Sequence, residues 1–236
     1  MWRGTDLPEP GGRACPTGWA ELDAELPGCG WPTACVTEVL SPQQSLLEWR
    51  LIGPALRRVV AAGEQVVLVG PPKPPHLPGL LHEGLDERHL IWIQAQTPAE
   101  RLWVTEQLVR AGAAGAIAAW LPQARQDQIR RLQVFAQGSE ALVFLFRPEA
   151  ARDEASAAPL RMHARALLDW ALEVTVFKRR GPVQVAPVRV PSIPGGLSGV
   201  LTARMLQPSL QLLRAKEKAD AAVGRVAPER RAVVVQ

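Results

Sequence analysis

The sequence lacks any long apolar run that could cross a membrane. Although 47% of the residues are hydrophobic, no stretch of about 18 or more uncharged apolar residues occurs, and a membrane-spanning helix needs one. The opening stretch, MWRGTDLPEPGGR, also lacks the apolar centre of a secretory signal peptide. We therefore expect a cytoplasmic protein with no membrane partner.

The sequence is also poor in patterns that bind metals. Its three cysteines, Cys15, Cys29 and Cys35, have no ligand-like spacing and no histidine partner nearby. This pattern favours buried thiols in a reducing cytoplasm over a disulfide or a zinc site. The four histidines are scattered and form no HxxxH motif or His–Cys pair. We therefore expect neither a metal nor a cofactor.

Acidic residues are scarce in the last quarter of the chain. Residues 1–174 carry 16 Lys and Arg against 20 Asp and Glu, which gives a net charge of −4. Residues 175–236 carry 11 against 3, which gives +8. A basic segment behind a mildly acidic body suits an acidic partner surface or a nucleic-acid backbone.

What the sequence does contain is a regular alternation of strand-like and helix-like segments. The clearest helix has Thr97 as its N-cap, Pro98 in its first turn, Glu100 three residues after the cap and Gly112 after its end. The alternation predicts an α/β fold, a mostly parallel sheet with helices on both faces. The predicted strands are about Cys35–Leu40, QVVLVG, HLIWIQA, AGAIAAWL and ALVFLFR, and the other main helices are QSLLEWRLIGPALRRVVAAG and PQARQDQIRRLQVFAQG.

Composition divides the chain into three parts. Residues 1–16 are rich in Gly and Pro and are expected to form a flexible arm, 17–190 a core domain, and 191–236 a basic, partly helical interaction tail. Near the end of the core, ALEVTVFKRR and PVQVAPVRV predict a β-hairpin around Gly181-Pro182. Five prolines within Pro71–Pro78 are expected to prevent a regular strand or helix there.

Ligands in such folds bind at the carboxyl ends of the strands, so the four turns that follow these ends form the expected functional edge. They follow Leu40, Val69, Trp120 and Phe146. A phosphate-binding turn needs glycines, a lysine and a Ser or Thr hydroxyl, whereas the first turn reads SPQQSLLE. Its glutamate, Glu48, would repel phosphates by several kcal/mol on a Coulomb estimate.

The other three turns also lack catalytic groups. The second offers Gly70-Pro71-Pro72 where a general base is needed, and the third ends in Trp120 without a carboxylate for Mg²⁺. In the fourth turn, Arg147 is the one side chain that could still meet an anion. The sequence therefore predicts that ATP hydrolysis does not occur and that the protein is not an enzyme.

The order and lengths of these segments resemble the RecA core. Matching features are Thr17-Gly18, Leu22-Asp23, the turn from Gly28 to Gly30, and Glu38-Val39 before the Walker A position. The segment HLIWIQAQTPAERLWVTEQLVRAGAAGAIAAWL is similar to the strand–helix–strand that leads into Walker B. The resemblance covers roughly residues 16–190.

Among RecA-like proteins without nucleotide motifs, the chain resembles the ImuA family, the translesion-synthesis-associated RecA/SulA-like proteins. The shared marks are Trp2-Arg3-Gly4, the stretch from Pro16 to Pro32, TEVL and the tail segment LTARMLQPSLQL. The resemblance implies a bacterial accessory protein of SOS mutagenesis in the DNA-damage response. It also implies two polymerase partners, an inactive Y-family paralogue (ImuB) and an error-prone C-family polymerase, with RecA as a further candidate.

Carried over by position, the resemblance places a degenerate nucleotide site on four residues. The Walker A lysine falls on Leu47 and its Mg²⁺-binding hydroxyl on Glu48. The Walker B aspartate falls on Trp120 and the catalytic glutamate on Pro72. Trp120 then either plugs the space that ATP would occupy or fills it neutrally, and the second interpretation is preferred.

Two segments are candidates for binding partner proteins. Trp2 and Arg3 lie in the N-terminal arm, and because RecA protomers pack through an N-terminal element, they could anchor a protein partner or a second copy of the chain. The helix expected at 202–222 has apolar residues near one face and suits docking of a partner. Its predicted partner-binding residues are Leu206, Leu210, Leu213 and Arg214.

A direct role in DNA binding remains an alternative. The basic cluster Lys178, Arg179 and Arg180 could contact DNA or an acidic partner, as could the basic tail, and the chain would then be a single-stranded DNA-binding module. Against a RecA-style filament on DNA, the segment after Arg147 is acidic where a DNA-binding loop should be basic. Among the tryptophans, Trp92 is expected in a strand core and Trp103 in a helix core. Like most of the eight, they are expected to pack internally rather than stack on bases.

Two further alternatives are an active P-loop enzyme with displaced motifs and a SulA-type inhibitor of cell division. The missing lysine counts against the first. The second would not need a full RecA-like core. The leading interpretation is a non-catalytic scaffold.

Overall fold

A computed structural model of the chain describes residues 13–182, 184, 186–193, 197, 199–202 and 205. The chain divides into two units, 1–200 and 201–236, and the described residues of the second unit are Leu201, Thr202 and Met205. Among the described residues, no helix is long and apolar enough to cross a membrane.

An eight-stranded, mostly parallel sheet forms the centre of the first unit. Its strand order is β10-β9-β8-β3-β7-β6-β4-β5, with the β10–β9 and β9–β8 pairs antiparallel and the other pairs parallel. The prediction of a mostly parallel α/β sheet is confirmed. The strands are β3 (Val36–Ser41), β4 (Val66–Val69), β5 (Leu90–Ile93), β6 (Ala116–Trp120), β7 (Leu142–Pro148), β8 (Leu160–Ala166), β9 (Leu172–Lys178) and β10 (Val188–Val190).

Helices cover both faces of this sheet, as the alternation predicts. One core cluster packs α1 and α2 against one face, and a second cluster packs α4 and α5 against the other. Ahead of the sheet, β1 (Ala14–Cys15) and β2 (Trp31–Pro32) form a separate antiparallel pair. The helices are α1 (Ala20–Asp23), α2 (Glu48–Ala61), α3 (Leu77–His82), α4 (Pro98–Ala111) and α5 (Gln126–Ala136).

The ends of α4 follow from local chemistry. The Thr97 hydroxyl accepts a hydrogen bond from the Glu100 N–H at 3.2 Å, and the Glu100 carboxylate accepts from the Thr97 N–H at 3.0 Å. Gly112 ends the helix in the left-handed region, with φ of +60°. This reciprocal capping box and glycine stop were predicted from the sequence, and both are confirmed.

An internal proline fastens α2 to the end of the sheet. Pro54 has no N–H for the carbonyl of Arg50 four residues earlier, so that carbonyl needs another donor. The Ser192 hydroxyl supplies it at 3.1 Å, and the Arg50 guanidinium in turn donates to the Ser192 carbonyl at 2.8 Å. The stretch after β10 is therefore held against the helix by Ser192, which is 2% exposed.

The structure differs from the sequence interpretation in three places. The proline-rich segment has no strand or helix over residues 71–76, as predicted, but α3 starts at Leu77 and has Pro78 in its first turn, where no N–H donor is needed. The stretch LRMHARA, for which no element was predicted, forms strand β8 beside β3. Trp92 is 41% exposed rather than internal, because β5 is an edge strand, and Trp103 on α4 is 62% exposed.

Two other expectations fall wholly or partly on residues outside the described part of the chain. The C-terminal hairpin remains a prediction, because residues 183 and 185 between β9 and β10 lie outside the described part of the chain. Residues 1–12, which are most of the predicted arm, and most of the predicted tail also lie outside the described part of the chain.

Candidate functional site

The four turns predicted to carry function lie at one edge of the sheet. Strands β3, β4, β6 and β7 run parallel, so their carboxyl ends share this edge. In register, the end of β6 meets the end of β7 where Trp120 pairs with Phe146. The edge therefore brings the first, third and fourth turns within reach of one another.

The first turn already holds an anion, and the chain itself supplies it. The Glu48 carboxylate, at the first residue of α2, folds back over the preceding turn. Its Oε1 accepts a hydrogen bond from the Ser45 N–H at 2.6 Å, and its Oε2 accepts from the Leu47 N–H at 3.1 Å. Backbone N–H groups at a helix start favour negative charge, and here a side chain provides that charge.

A third donor reaches the same carboxylate from the far side of the edge. The Trp120 Nε1–H donates to Glu48 Oε1 at 3.2 Å. The indole ring of Trp120 lies 4.9 Å from the Phe146 ring and 6.5 Å from the Trp49 ring, measured between centroids. Glu48 is 1% and Trp120 2% exposed, so the interaction is shielded from water.

The turn itself is shaped to present its N–H groups. Ser45 has a φ of +64°, a left-handed conformation that is uncommon for a residue other than glycine. Leu47, the next predicted site residue, is 1% exposed and packs in the core cluster beneath α2. Two of the four predicted nucleotide-site positions, Glu48 and Trp120, are therefore in direct contact, and Leu47 supplies a backbone donor to the same carboxylate.

The fourth predicted position, Pro72, lies apart from this cluster and is exposed. It follows Gly70, whose φ is +58°. A Cβ atom at Gly70 would lie 2.5 Å from Nε of Arg101, so the Arg101 side chain crosses the end of β4 at close range. An arginine of α4 therefore packs on the second turn.

The prediction that Arg147 could meet an external anion is wrong, because Arg147 is 1% exposed and already paired. Its Nη1 lies 2.7 Å from Glu38 Oε1, and its Nη2 lies 2.6 Å from Glu154 Oε2. Glu38 is fully buried and also receives a hydrogen bond from Arg161 Nε at 2.8 Å. The three side chains Arg147, Glu38 and Arg161 form a buried Arg–Glu–Arg triad across β7, β3 and β8.

This triad fastens the connection between β7 and β8 to the sheet. Besides Glu38, Arg161 donates to the backbone carbonyls of Ala151 at 2.8 Å and Glu154 at 3.1 Å. Its guanidinium also lies over the Phe177 ring, 5.0 Å from the centroid. The acidic segment that the sequence placed at a DNA-binding loop is therefore folded against internal arginines.

The basic cluster at the end of β9 partly makes internal contacts. Lys178 Nζ donates to the Ser156 carbonyl at 2.7 Å, and burial lowers the pKa of Lys178 from its ordinary value. Arg179 pairs with the Glu25 carboxylate at 2.9 Å, and its side chain is 12% exposed. Arg180 is exposed and makes no hydrogen bond or ion pair with any described residue.

The predicted partner-binding residues lie outside the described part of the chain. They are Trp2, Arg3, Leu206, Leu210, Leu213 and Arg214. The cysteines Cys15, Cys29 and Cys35 are free thiols. Within the described ranges, no group of three or more His, Cys, Asp or Glu side chains could hold a metal ion.

Two features of the site were not found from the sequence. The hydrogen bond between Trp120 and Glu48 joins residues 72 positions apart, and the pairing of Glu38 with Arg161 depends on the unpredicted strand β8. The glutamate after Thr37 was noted only as a point of likeness to RecA, and a charged residue inside an otherwise apolar strand was the available signal. No protein-family model matches the chain, and a search of curated proteins finds no match either.

Proposed function

We propose that this chain is a RecA-like scaffold protein of the ImuA family, without ATPase chemistry, in the cytoplasmic complex for SOS-induced mutagenic translesion synthesis. The mostly parallel sheet with helices on both faces is compatible with a RecA-like core. The sequence motifs around Thr17, Glu38 and Thr97 supply the likeness to RecA, and Trp2-Arg3-Gly4 supplies part of the likeness to the ImuA family.

The observation that carries the non-catalytic part of this proposal is the position of the Glu48 carboxylate, which accepts hydrogen bonds from the N–H groups of the first turn. A nucleotide phosphate would need the N–H groups of Ser45 and Leu47, which the Glu48 carboxylate occupies. Binding ATP there would place phosphate charge against a buried carboxylate, and such repulsion costs several kcal/mol in a shielded site. The turn thus serves as a closed structural element, and partner binding takes the place of catalysis.

The proposed partners are an inactive Y-family polymerase paralogue (ImuB) and an error-prone C-family polymerase. RecA is a further candidate partner, and the arm around Trp2 and Arg3 could support self-association. The tail is proposed as the main docking segment, through Leu206, Leu210 and Leu213 with Arg214 beside them. A basic tail is also suited to an acidic partner surface.

A pulldown with the Y-family paralogue tests this role. A chain ending at Val200 keeps Ser192 and its contacts with α2, whereas a chain ending at Val190 loses them. The shorter truncation product therefore risks a folding defect that the longer one avoids. The full chain is expected to retain the paralogue, and the chain ending at Val200 to lose it while its thermal unfolding midpoint stays near that of the full chain.

Two outcomes would contradict the proposal. If the full chain fails to retain the paralogue, the proposed partnership is wrong. If the chain ending at Val200 binds as well as the full chain, the tail is not the docking segment. As a matched change within the tail, L206A, L210A and L213A combined should weaken binding, whereas the basic-to-neutral change R225Q should not.

Single-stranded DNA binding is the second candidate, and exposed Arg180 within the basic region supports it. Arg179 contributes less, because its side chain is tied to Glu25. Contacts with phosphates release counterions, so binding to oligo(dT) should weaken steeply with added salt if this candidate is right. A scaffold that contacts protein partners alone should show no such salt-dependent binding.

A further inference from the structure

A cavity of about 340 Å³ opens at the functional edge, between the first turns of α4 and α5. It lies next to the end of β6, where Trp120 and Leu121 are 2% and 3% exposed and form its apolar floor. The rest of the lining is a mixture of apolar and polar side chains from the two helices and from the loop before α5. The lining residues on which the inference rests are Arg101, Leu102, Trp103, Gln123, Arg125 and Gln128.

Two features add positive charge to the cavity lining, which also contains the carboxylate of Glu106. The N-terminal ends of two helices, α4 with 14 residues and α5 with 11, face it through Pro98 and Gln128. Helix N-termini carry partial positive charge and favour anions. Two arginines, Arg101 and Arg125, add full positive charges to the same lining.

Arg101 is held in place with its terminal nitrogens available. Its Nε donates to the Ala95 carbonyl at 3.0 Å, and its side chain packs on Gly70. Its two terminal nitrogens have no hydrogen-bond acceptor among the described residues. A guanidinium fixed in this way loses little freedom when it binds a carboxylate.

Two carboxylates at the cavity are already in ion pairs: Glu106, which is itself a lining residue, and Asp127, which pairs with Arg125. Glu106 Oε1 lies 3.0 Å from Arg131 Nη2. Asp127 lies 3.6 Å from Arg125 and 3.5 Å from Arg131, and all three of these side chains are well exposed. Such surface pairs contribute little and exchange readily with an incoming carboxylate.

An apolar side chain stands uncovered at the rim of the same cavity. Trp103 is 62% exposed and is one of the lining residues. Exposed tryptophans beside small pockets are typical anchors for partner proteins. A pocket of this volume is at the lower end for ligand sites, which suits one large side chain better than a whole cofactor.

We propose that this cavity binds a short acidic peptide segment of a partner protein. A large aromatic or aliphatic side chain of the segment enters between Trp103 and the floor, and neighbouring carboxylates pair with Arg101 and Arg125. A nucleic acid fits less well, because residues 1–174 carry a net charge of −4 and would repel a polyanion beyond the cavity. The inference extends the proposed scaffold role by adding a docking site on the core that is separate from the tail.

The probe is an acetylated and amidated peptide, Asp-Glu-Phe-Glu-Asp, titrated into the full chain labelled with ¹⁵N-tryptophan. The indole N–H signal of Trp103, assigned from W103F, is expected to shift saturably, whereas the signal of exposed Trp92 on β5 should not. R125E should weaken binding about tenfold, because one charge-assisted contact is lost and a repulsion is gained. R130E changes the same charge at an exposed position of α5 outside the cavity lining and should leave affinity within about twofold.

Two control ligands test the specificity of the cavity: a neutral peptide, Asn-Gln-Phe-Gln-Asn, and oligo(dT). The neutral peptide should bind at least about fivefold more weakly if carboxylates meet the arginines. The inference is overturned if the acidic peptide gives no saturable shift of Trp103, or if R125E and R130E weaken binding equally. It is also overturned if oligo(dT) shifts Trp103 and the acidic peptide does not, which would assign the cavity to nucleic acid.

These outcomes are separable from those of the proposed function. Peptide binding at Trp103 can succeed while the pulldown with the polymerase paralogue fails, which would remove the scaffold role and keep the site. The reverse result would remove the site and keep the tail as the docking segment.

Discussion

Replacing Glu48 with alanine should destabilise the protein markedly. It should not give the protein the nucleotide affinity of an active ATPase. The substitution removes the acceptor for three donors, the N–H groups of Ser45 and Leu47 and the indole N–H of Trp120. Two of these donors belong to the backbone, so no repacking of side chains can remove them. They stay in the folded state and lose their partner.

The size of the effect follows from burial. The bonds from Leu47 and Trp120 are buried, whereas the bond from Ser45 is only partly so, and water can replace the carboxylate there. Hydrogen bonds to charged groups contribute about 1.5 to 3 kcal/mol each, so the two buried bonds predict a loss of about 3 to 6 kcal/mol. Relief from burying the carboxylate offsets part of this loss, and we expect about 3 kcal/mol in the free energy of unfolding.

Urea and thermal unfolding of the full chain measure this loss. For a chain of this size, about 3 kcal/mol lowers the unfolding midpoint by roughly 6 to 12 °C. E48Q should be intermediate, because its amide keeps one acceptor oxygen and turns an NH₂ group towards a donor. The control E21A changes an exposed glutamate on α1 and should stay within about 0.5 kcal/mol of wild type.

A double-mutant cycle isolates the contact across the edge. W120F removes the indole N–H and keeps an aromatic ring next to Phe146, so we expect a loss of about 1 to 2 kcal/mol. In the E48A background the same change should cost clearly less, because the acceptor is already gone. Additive effects, or an unfolding midpoint for E48A within about 2 °C of wild type, would refute the reasoning.

Three further predictions concern the buried triad, a helix cap and a thiol. R161M leaves the buried Glu38 with one fewer partner and should lower the free energy of unfolding in urea by about 3 to 5 kcal/mol. The control R165M on the same strand removes a surface ion pair and should lower it by less than about 1 kcal/mol. Hydrogen bonds from the backbone N–H groups at the start of α4 lower the pKa of Glu100. The stabilising contribution of Glu100 is therefore present above the ordinary carboxyl pKa and is lost as the pH falls through the lowered pKa. E100Q should flatten the acid side of a plot of stability against pH. Burial raises the pKa of Cys35 to about 11, so mass spectrometry should find that iodoacetamide at pH 8 modifies exposed Cys29 first, and rapid modification of Cys35 would contradict its burial.

Much of the fold could be predicted because its signals are local. The strands β4, β6 and β7 are continuous apolar runs, and α4 carries its own start and stop residues. Strand order is not local, and this explains the error for Trp92. Its strand is at the edge of the sheet, a position that depends on which other strands pair with it.

The unpredicted strand β8 shows a second limit. The segment contains Arg161, His163 and Arg165, whereas a strand inside a parallel sheet is expected to be a largely apolar run. Arg161 is nevertheless 5% exposed, because Glu38 lies directly opposite it in the ladder. A buried charge is tolerated only with such a partner, and the partner is 123 residues away in the sequence.

At the site, sequence reasoning located Glu48 and Trp120 correctly at the functional edge but described each alone. Glu48 was expected to repel phosphates, and Trp120 was expected to fill space. The structure adds that the two side chains bond to each other and that the glutamate satisfies N–H groups of the turn. The sequence shows neither the direction of these side chains nor the positive φ of Ser45, whose N–H is one of the donors.

The most direct test of the central claim is a titration of the full chain with a fluorescent ATP analogue and Mg²⁺, alongside a RecA protein as a positive control. The self-supplied carboxylate of Glu48 predicts no saturable binding up to millimolar nucleotide, in wild type and in the folded control E21A alike. Saturable binding to the wild-type chain that unlabelled ATP competes away would contradict the account.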